Sequence, residues 1–147
     1  MEPLLTAIVL WLSANFGLLA IHDLPRVERM SSIEMTNLLY QNIPADQRQA
    51  MRIDQQRPAL SLYSVERKTI YLLPEWTGQT PADLSLLVHE MVHHMQNLNP
   101  ATFECPQARE RPAYEAQEKW LNMFGHSLKN DFGIDRLTIF MTTACTD

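Results

Sequence analysis

The 147-residue chain is poor in cysteine, with two, and in glycine, with four, and it has no excess of basic residues: 12 Lys and Arg stand against 17 Asp and Glu, a net charge of −5. The missing positive charge leaves no electrostatic footprint for nucleic acid. Two cysteines, Cys105 and Cys145, are too few for a disulfide scaffold and lack a CxxC spacing. They read most simply as two buried free thiols, because cysteine packs as a small hydrophobe; the alternative is one bridge tying the tail to the segment before residue 110. Long apolar runs are also lacking. Residues 3–21, PLLTAIVLWLSANFGLLAI, come nearest, but Ser13, Asn15 and Gly17 interrupt them before the ~20 residues a membrane span needs. A secretory signal wants a basic start, and the charged side chain there is Glu2. Leu4 to Phe16 is therefore expected as a core helix of a cytoplasmic protein, with export the alternative if 3–21 act as a signal.

What is present fits one globular domain over residues 1–147: 46% hydrophobic and 20% charged residues, with no repeat and no low-complexity tract. LPRVERM (24–30) reads as a short strand. SSIE (31–34) fits a capping box, Ser31 facing Glu34, opening a helix to about Tyr40. Residues 42–57 read as a polar loop. ALSLYSV and TIYLL, joined by Glu66-Arg67-Lys68, make an antiparallel hairpin over about 59–73. Thr80, Pro81 and Asp83 then supply the cap, first residue and cap partner of a helix over about 81–97, stopped at Asn99-Pro100. A further helix starts near Pro106 or Arg111-Pro112 and ends at Gly125, and 134–145 leans to helix. The order predicts an α+β fold, mostly helical, with a small antiparallel sheet.

The stretch LLVHEMVHHMQNLNP (86–100) puts three histidines and a glutamate into an otherwise apolar helix. Burying such groups costs several kcal/mol unless a partner compensates. Leu84, Leu87, Val88, Met91, Met95 and Leu98 form the apolar stripe, while His89 and His93 project one turn apart on another face. That spacing lets two imidazoles reach one Zn²⁺ at ~2.0–2.1 Å. Glu90, ~100° further round the axis, is poorly placed as a ligand but reaches a water bound there. HEMVH is thus the HExxH arrangement of two metal ligands and a general base. A catalytic zinc needs a third protein ligand; Glu104, Cys105, Glu110, Glu115, Glu118 and His126 lie downstream. Glu118 reads as part of a solvated face beside Lys119, His126 as a surface residue. His94 is expected to make a supporting or surface hydrogen bond. Gln96 is open between touching substrate, holding Glu110, and an exposed amide.

HEMVHHMQ with ERPAYEAQ resembles the gluzincin zinc metallopeptidases, in which a Glu on a later helix, often opening E-x-x-A-D, completes HExxH. The similarity is closest to small single-domain bacterial proteins with an uncharacterised metallopeptidase-like domain. It implies a zincin-like fold and a zinc-dependent hydrolase acting on a peptide or protein. Zn²⁺ would be held by His89, His93 and Glu110, with Glu90 as general base. Tyr114 stands where the family's aspartate orients the first histidine; a tyrosine could do that less strongly, or stabilise an oxyanion. His22 is a second candidate for the oxyanion. Pro112 pushes Glu110 to the helix's first turn, which leaves Glu115 as rival ligand. The resemblance also makes TIYLLPEW the cleft rim that pairs with extended substrate, with Trp76 near the cleft and Trp11 and Trp120 in the core. The competing expectation is a catalytically silent zinc-binding or interaction protein on the same scaffold; a metal-free helical adaptor would leave His89 and His93 unexplained.

Overall fold

The computed structural model describes residues 1–41 and 58–145, so the expected loop at 42–57 lies outside the described residues. In chain order the elements are α1 (Glu2–Phe16), β1 (Arg26–Arg29), α2 (Ser32–Gln41), β2 (Ser61–Ser64), β3 (Thr69–Leu72), α3 (Pro81–Leu98), a 3-10 turn (Pro106–Arg109), α4 (Glu110–Asn122), α5 (Leu128–Phe132) and α6 (Arg136–Thr143). The mainly helical α+β layout is as the sequence predicts. The sheet is not purely antiparallel. β2 and β3 form the expected hairpin, but β1 pairs parallel with the other side of β3, with Val27 opposite Ile70. The order β1-β3-β2 puts β3 in the middle, and all four of its residues are buried. Its partner β1 is a short polar strand whose sequence carries no signal for the direction of pairing.

Local chemistry starts α3 where expected. The Thr80 hydroxyl accepts from the Asp83 N–H at 3.0 Å. The Asp83 carboxylate accepts from the N–H groups of Thr77 and Gly78 and from the Thr77 hydroxyl, so that burial, which would raise its pKa, is outweighed and the acid stays below the usual carboxylate range. Gly78 sits at φ 72°, and a Cβ there would lie 2.7 Å from the Trp76 ring, so the turn accepts no side chain. Trp76 is core rather than cleft: its indole N–H donates to the Asp83 carbonyl at 2.7 Å, and the Arg29 guanidinium lies over its ring.

One face of α3, Leu87, Val88, Met91, Val92 and Met95, packs into a core with Leu5, Ile8, Val9 and Leu12 of α1 and Ile70 and Leu72 of β3. Residues 4–16 are therefore a core helix, closed by Gly17 in the left-handed conformation. No helix among the described residues is long and apolar enough to cross a membrane. Ala113 and Ala116 of α4 are fully buried in the same core, and Trp120 meets Trp11 edge-on with ring centroids 5.3 Å apart.

Two expectations change here. Cys105 and Cys145 are not free thiols but a disulfide spanning 40 residues, which holds α6 to the 3-10 turn ahead of α4. His94 is fully buried and makes no surface contact. Its Nε2 lies 2.6 Å from the Asp23 carbonyl and its Nδ1 2.7 Å from the Tyr63 hydroxyl, joining α3 to β2 and to the α1–β1 connection. Burial pulls the His94 pKa below its ordinary value, so the ring is neutral. Replacing His94 by Leu strands the Asp23 carbonyl and weakens the Tyr63 anchor; urea unfolding is expected to show a loss of about 3 kcal/mol.

Candidate metal centre

α3 and α4 lie side by side and bring the predicted ligands together. The Nε2 of His89 lies 3.0 Å from one Glu110 carboxylate oxygen, and the Nε2 of His93 lies 3.1 Å from the other. The rings of His89 and His93 are edge-to-face, 5.2 Å apart. Glu110 opens α4, the first-turn position that Pro112 requires, and still reaches both rings. Glu115, the rival, is exposed on another face of α4. Glu90 also belongs to the cluster, its carboxylate falling with the two imidazoles inside a 4.8 Å group of ligand atoms. Glu110 is the nearer acid to both rings.

The supporting contacts differ from those expected. His89 Nδ1 meets the Gln117 amide oxygen at 2.9 Å, and Gln117 donates its amide N–H to the Ser85 hydroxyl. Gln117 thus occupies the orienting role considered for Tyr114, whose ring packs edge-on against His89 at 4.8 Å. Gln96 is neither exposed nor on Glu110. Its oxygen meets His93 Nδ1 at 2.9 Å, and its N–H donates to the Arg109 carbonyl. From β2 the Ser61 hydroxyl donates to Glu90 Oε2 at 2.6 Å. Thr69–Leu72 of TIYLLPEW has strands on both sides, which leaves no free edge there for a substrate strand; among the described residues, β2 is the edge strand that touches the site.

The remaining candidates have other roles. Cys105 is in the disulfide, and His126 pairs with Asp131 at 2.8 Å. Glu118 is not merely solvated, for it accepts from the Leu128 N–H at the start of α5. Glu104 and His22 are exposed. The sequence reading passed over Gln117, Ser85 and Ser61. Gln117 was recoverable, because it lies seven residues after Glu110, two turns along the same helix face.

Charge and geometry both fit a cation. Burial disfavours a charged His93, but the Glu110 carboxylate, with smaller contributions from Glu90 and Gln96, overcomes it and pushes the pKa up to about 9. Burial likewise acts to raise the Glu110 pKa, yet His93 and His89 hold it well below the usual carboxylate range. Even so, the buried His93 Nε2 makes no hydrogen bond of acceptable geometry. Glu110 is near it but out of line. The two imidazoles meet different oxygens of Glu110 at 3.0 and 3.1 Å, and with Glu90 in the same cluster the site offers nitrogen and oxygen donors of the types zinc takes. Once His93 gives up its proton, two imidazole nitrogens and one carboxylate are a donor set suited to Zn²⁺.

Compared with known proteins, the whole of residues 1–147 matches the profile of one family, described as "Domain of unknown function (DUF6647)". No curated protein and no solved structure matches significantly.

Proposed function

The chain belongs to the DUF6647 family, and from its site we propose that it is a zinc-dependent metallopeptidase of the gluzincin type, with Zn²⁺ held by His89, His93 and Glu110. The observation that carries this reading is the convergence of both Nε2 atoms on one carboxylate, beside a second acid and with one Nε2 buried but unserved. Support for a zincin-like fold comes from the HExxH helix backed by a sheet and followed by a helix that carries the acidic ligand.

A zinc ion there would activate a water and polarise a scissile carbonyl. Glu90 would act as general base, taking a proton from the attacking water and returning it to the leaving amine. The Ser61 hydroxyl holds the Glu90 carboxylate by one oxygen beside the two histidines. Tyr114, against His89, is the candidate to donate to the developing oxyanion. The substrate class is peptide or protein, with no nucleic acid. The Cys105–Cys145 bridge is typical of an oxidising compartment, which favours the exported alternative over the cytoplasmic one.

The test is metal content by mass spectrometry on untagged protein. About one zinc per chain is expected in the native protein and in Glu90→Gln, and none in Glu110→Ala. Peptide hydrolysis should be absent from Glu90→Gln. No stoichiometric zinc in the native chain sinks the proposal, whereas zinc with no hydrolysis across a peptide library leaves the silent zinc-binding protein.

A further inference from the structure

The last two helices fold back along α4. The Glu118 carboxylate accepts from the Leu128 N–H that opens α5, and the Arg111 guanidinium at the start of α4 donates to the Thr143 hydroxyl at the end of α6. Between α4 and the α5–α6 turn lies a groove of about 840 Å³, within the size range of ligand sites. Its apolar lining comes from Tyr114, Ile134, Leu137 and Ile139. Tyr114 also packs edge-on against His89, with ring centroids 4.8 Å apart, so the groove starts at the candidate metal centre. Tyr114 and Asn122, both in its wall, are ~12 Å apart along α4 at the helical rise. An extended peptide covers that length in about three to four residues.

Charge is distributed unevenly along the groove. Glu115 stands exposed next to Tyr114, at the end nearest the metal centre. Further along, the two acids are engaged at helix starts, Glu118 on the Leu128 N–H and Asp135 on the Thr138 N–H. Lys129 and Arg136 are exposed there and form no ion pair among the described residues. The far end therefore carries surplus positive charge, in a chain whose net charge is −5. We propose that the groove holds one flank of the substrate peptide, an apolar side chain lying against Ile134, Leu137 and Ile139 and an Asp or Glu side chain against Lys129 and Arg136. That acid lies about three to four residues from the bond held at the metal centre. The proposal rests on the peptidase reading above and adds a sequence preference to it. The preference also works by rejection: a polar residue leaves the apolar wall uncovered, and a lysine meets like charge.

Binding is read on metal-free protein, which cuts nothing, by fluorescence anisotropy of labelled peptides. The probes are C-terminally amidated chains of Gly and Ser that carry one Leu and one Glu. Such a peptide is expected to bind about tenfold more tightly than versions with Ser for Leu or Lys for Glu. Leu137 is 65% exposed, so Leu137→Asp leaves the core intact and should abolish the preference for Leu. Lys129→Glu combined with Arg136→Glu should invert the charge preference, so that the Lys peptide binds better than the Glu peptide. Leu10→Asp, on the exposed side of α1, should change neither preference. Equal binding of all peptides, no binding of any, or an unchanged preference in the charge-reversed variant overturns the proposal. So does a dimer that Leu137→Asp dissolves, which would give the groove to a second copy of the chain. A native chain that holds no zinc and hydrolyses nothing counts against the peptidase reading, while the binding preferences still decide the groove.

Discussion

Reduction of the Cys105–Cys145 bridge is expected to lower stability by about 4 kcal/mol, the chain-entropy value for a loop closed across 40 residues. For a chain of this size that corresponds to a fall in Tm on the order of 10 °C. The effect should also reach the metal centre. Cys105 and the 3-10 turn lead directly into Glu110, and the Arg109 carbonyl in that turn anchors Gln96. The bridge holds this turn to α6, assisted by the Arg111 guanidinium donating to the Thr143 hydroxyl at 3.1 Å. A Cys105→Ser, Cys145→Ser double variant should therefore melt earlier and hold zinc less tightly, while α3 and its cap stay intact. Thermal melts and zinc competition, with and without reductant, check both parts. An unchanged melt on full reduction would show that the packing of α6 alone holds the turn.

Zinc affinity should rise about tenfold per pH unit through neutrality, since one proton must leave His93 for Nε2 to bind a metal. With the metal-free His93 pKa at about 9, affinity is expected to gain about 100-fold between pH 7 and pH 9 and then level off. Calorimetry in two buffers of different ionisation enthalpy counts the released proton; a pH-independent affinity would contradict the His93–Glu110 pairing. The metal-free protein carries the same linkage in its stability. His93, raised above its ordinary 6.5, adds stability that is complete below that value and is lost as pH rises through about 9. Glu110, lowered from 4.5, adds stability present above that value and lost as pH falls through its depressed pKa. Together they favour the metal-free fold most between about pH 4.5 and 6.5, and zinc binding displaces this pairing at higher pH.

The parts legible in the sequence were those governed by short spacing. Thr80, Pro81 and Asp83 define the start of α3 within four residues, and the i, i+4 relation of His89 and His93 needs only helix geometry. The hairpin followed from two alternating runs and a short polar joint. What could not be read depends on which elements meet. The parallel pairing of β1 with β3 depends on how the chain travels between them, and nothing in RVER encodes it. The bridge required knowing that α6 returns to the 3-10 turn. Ser61 and Tyr63 show the same limit. They are ~6.6 Å apart along one face of β2, close to the ~6 Å between Glu90 and His94 on α3, so strand and helix match rung for rung. Either element alone shows the spacing but not the match. Glu110 is legible through the resemblance in ERPAY, whereas Gln117, the partner of His89, lies outside that motif, in which Tyr114 holds the family's aspartate position.

The placement of the cystine sets an order in which the chain supplies the parts of the site. Ser61, Glu90 and the two histidines belong to a stretch of chain that is complete by residue 98. Glu110 follows soon after, yet its covalent tether requires position 145. During synthesis the histidine pair is therefore ready well before its acidic partner is locked. If the site takes a metal, one captured early would meet an incomplete set of ligands, and oxidation of the two thiols would be the last covalent step to fix the turn that leads into Glu110.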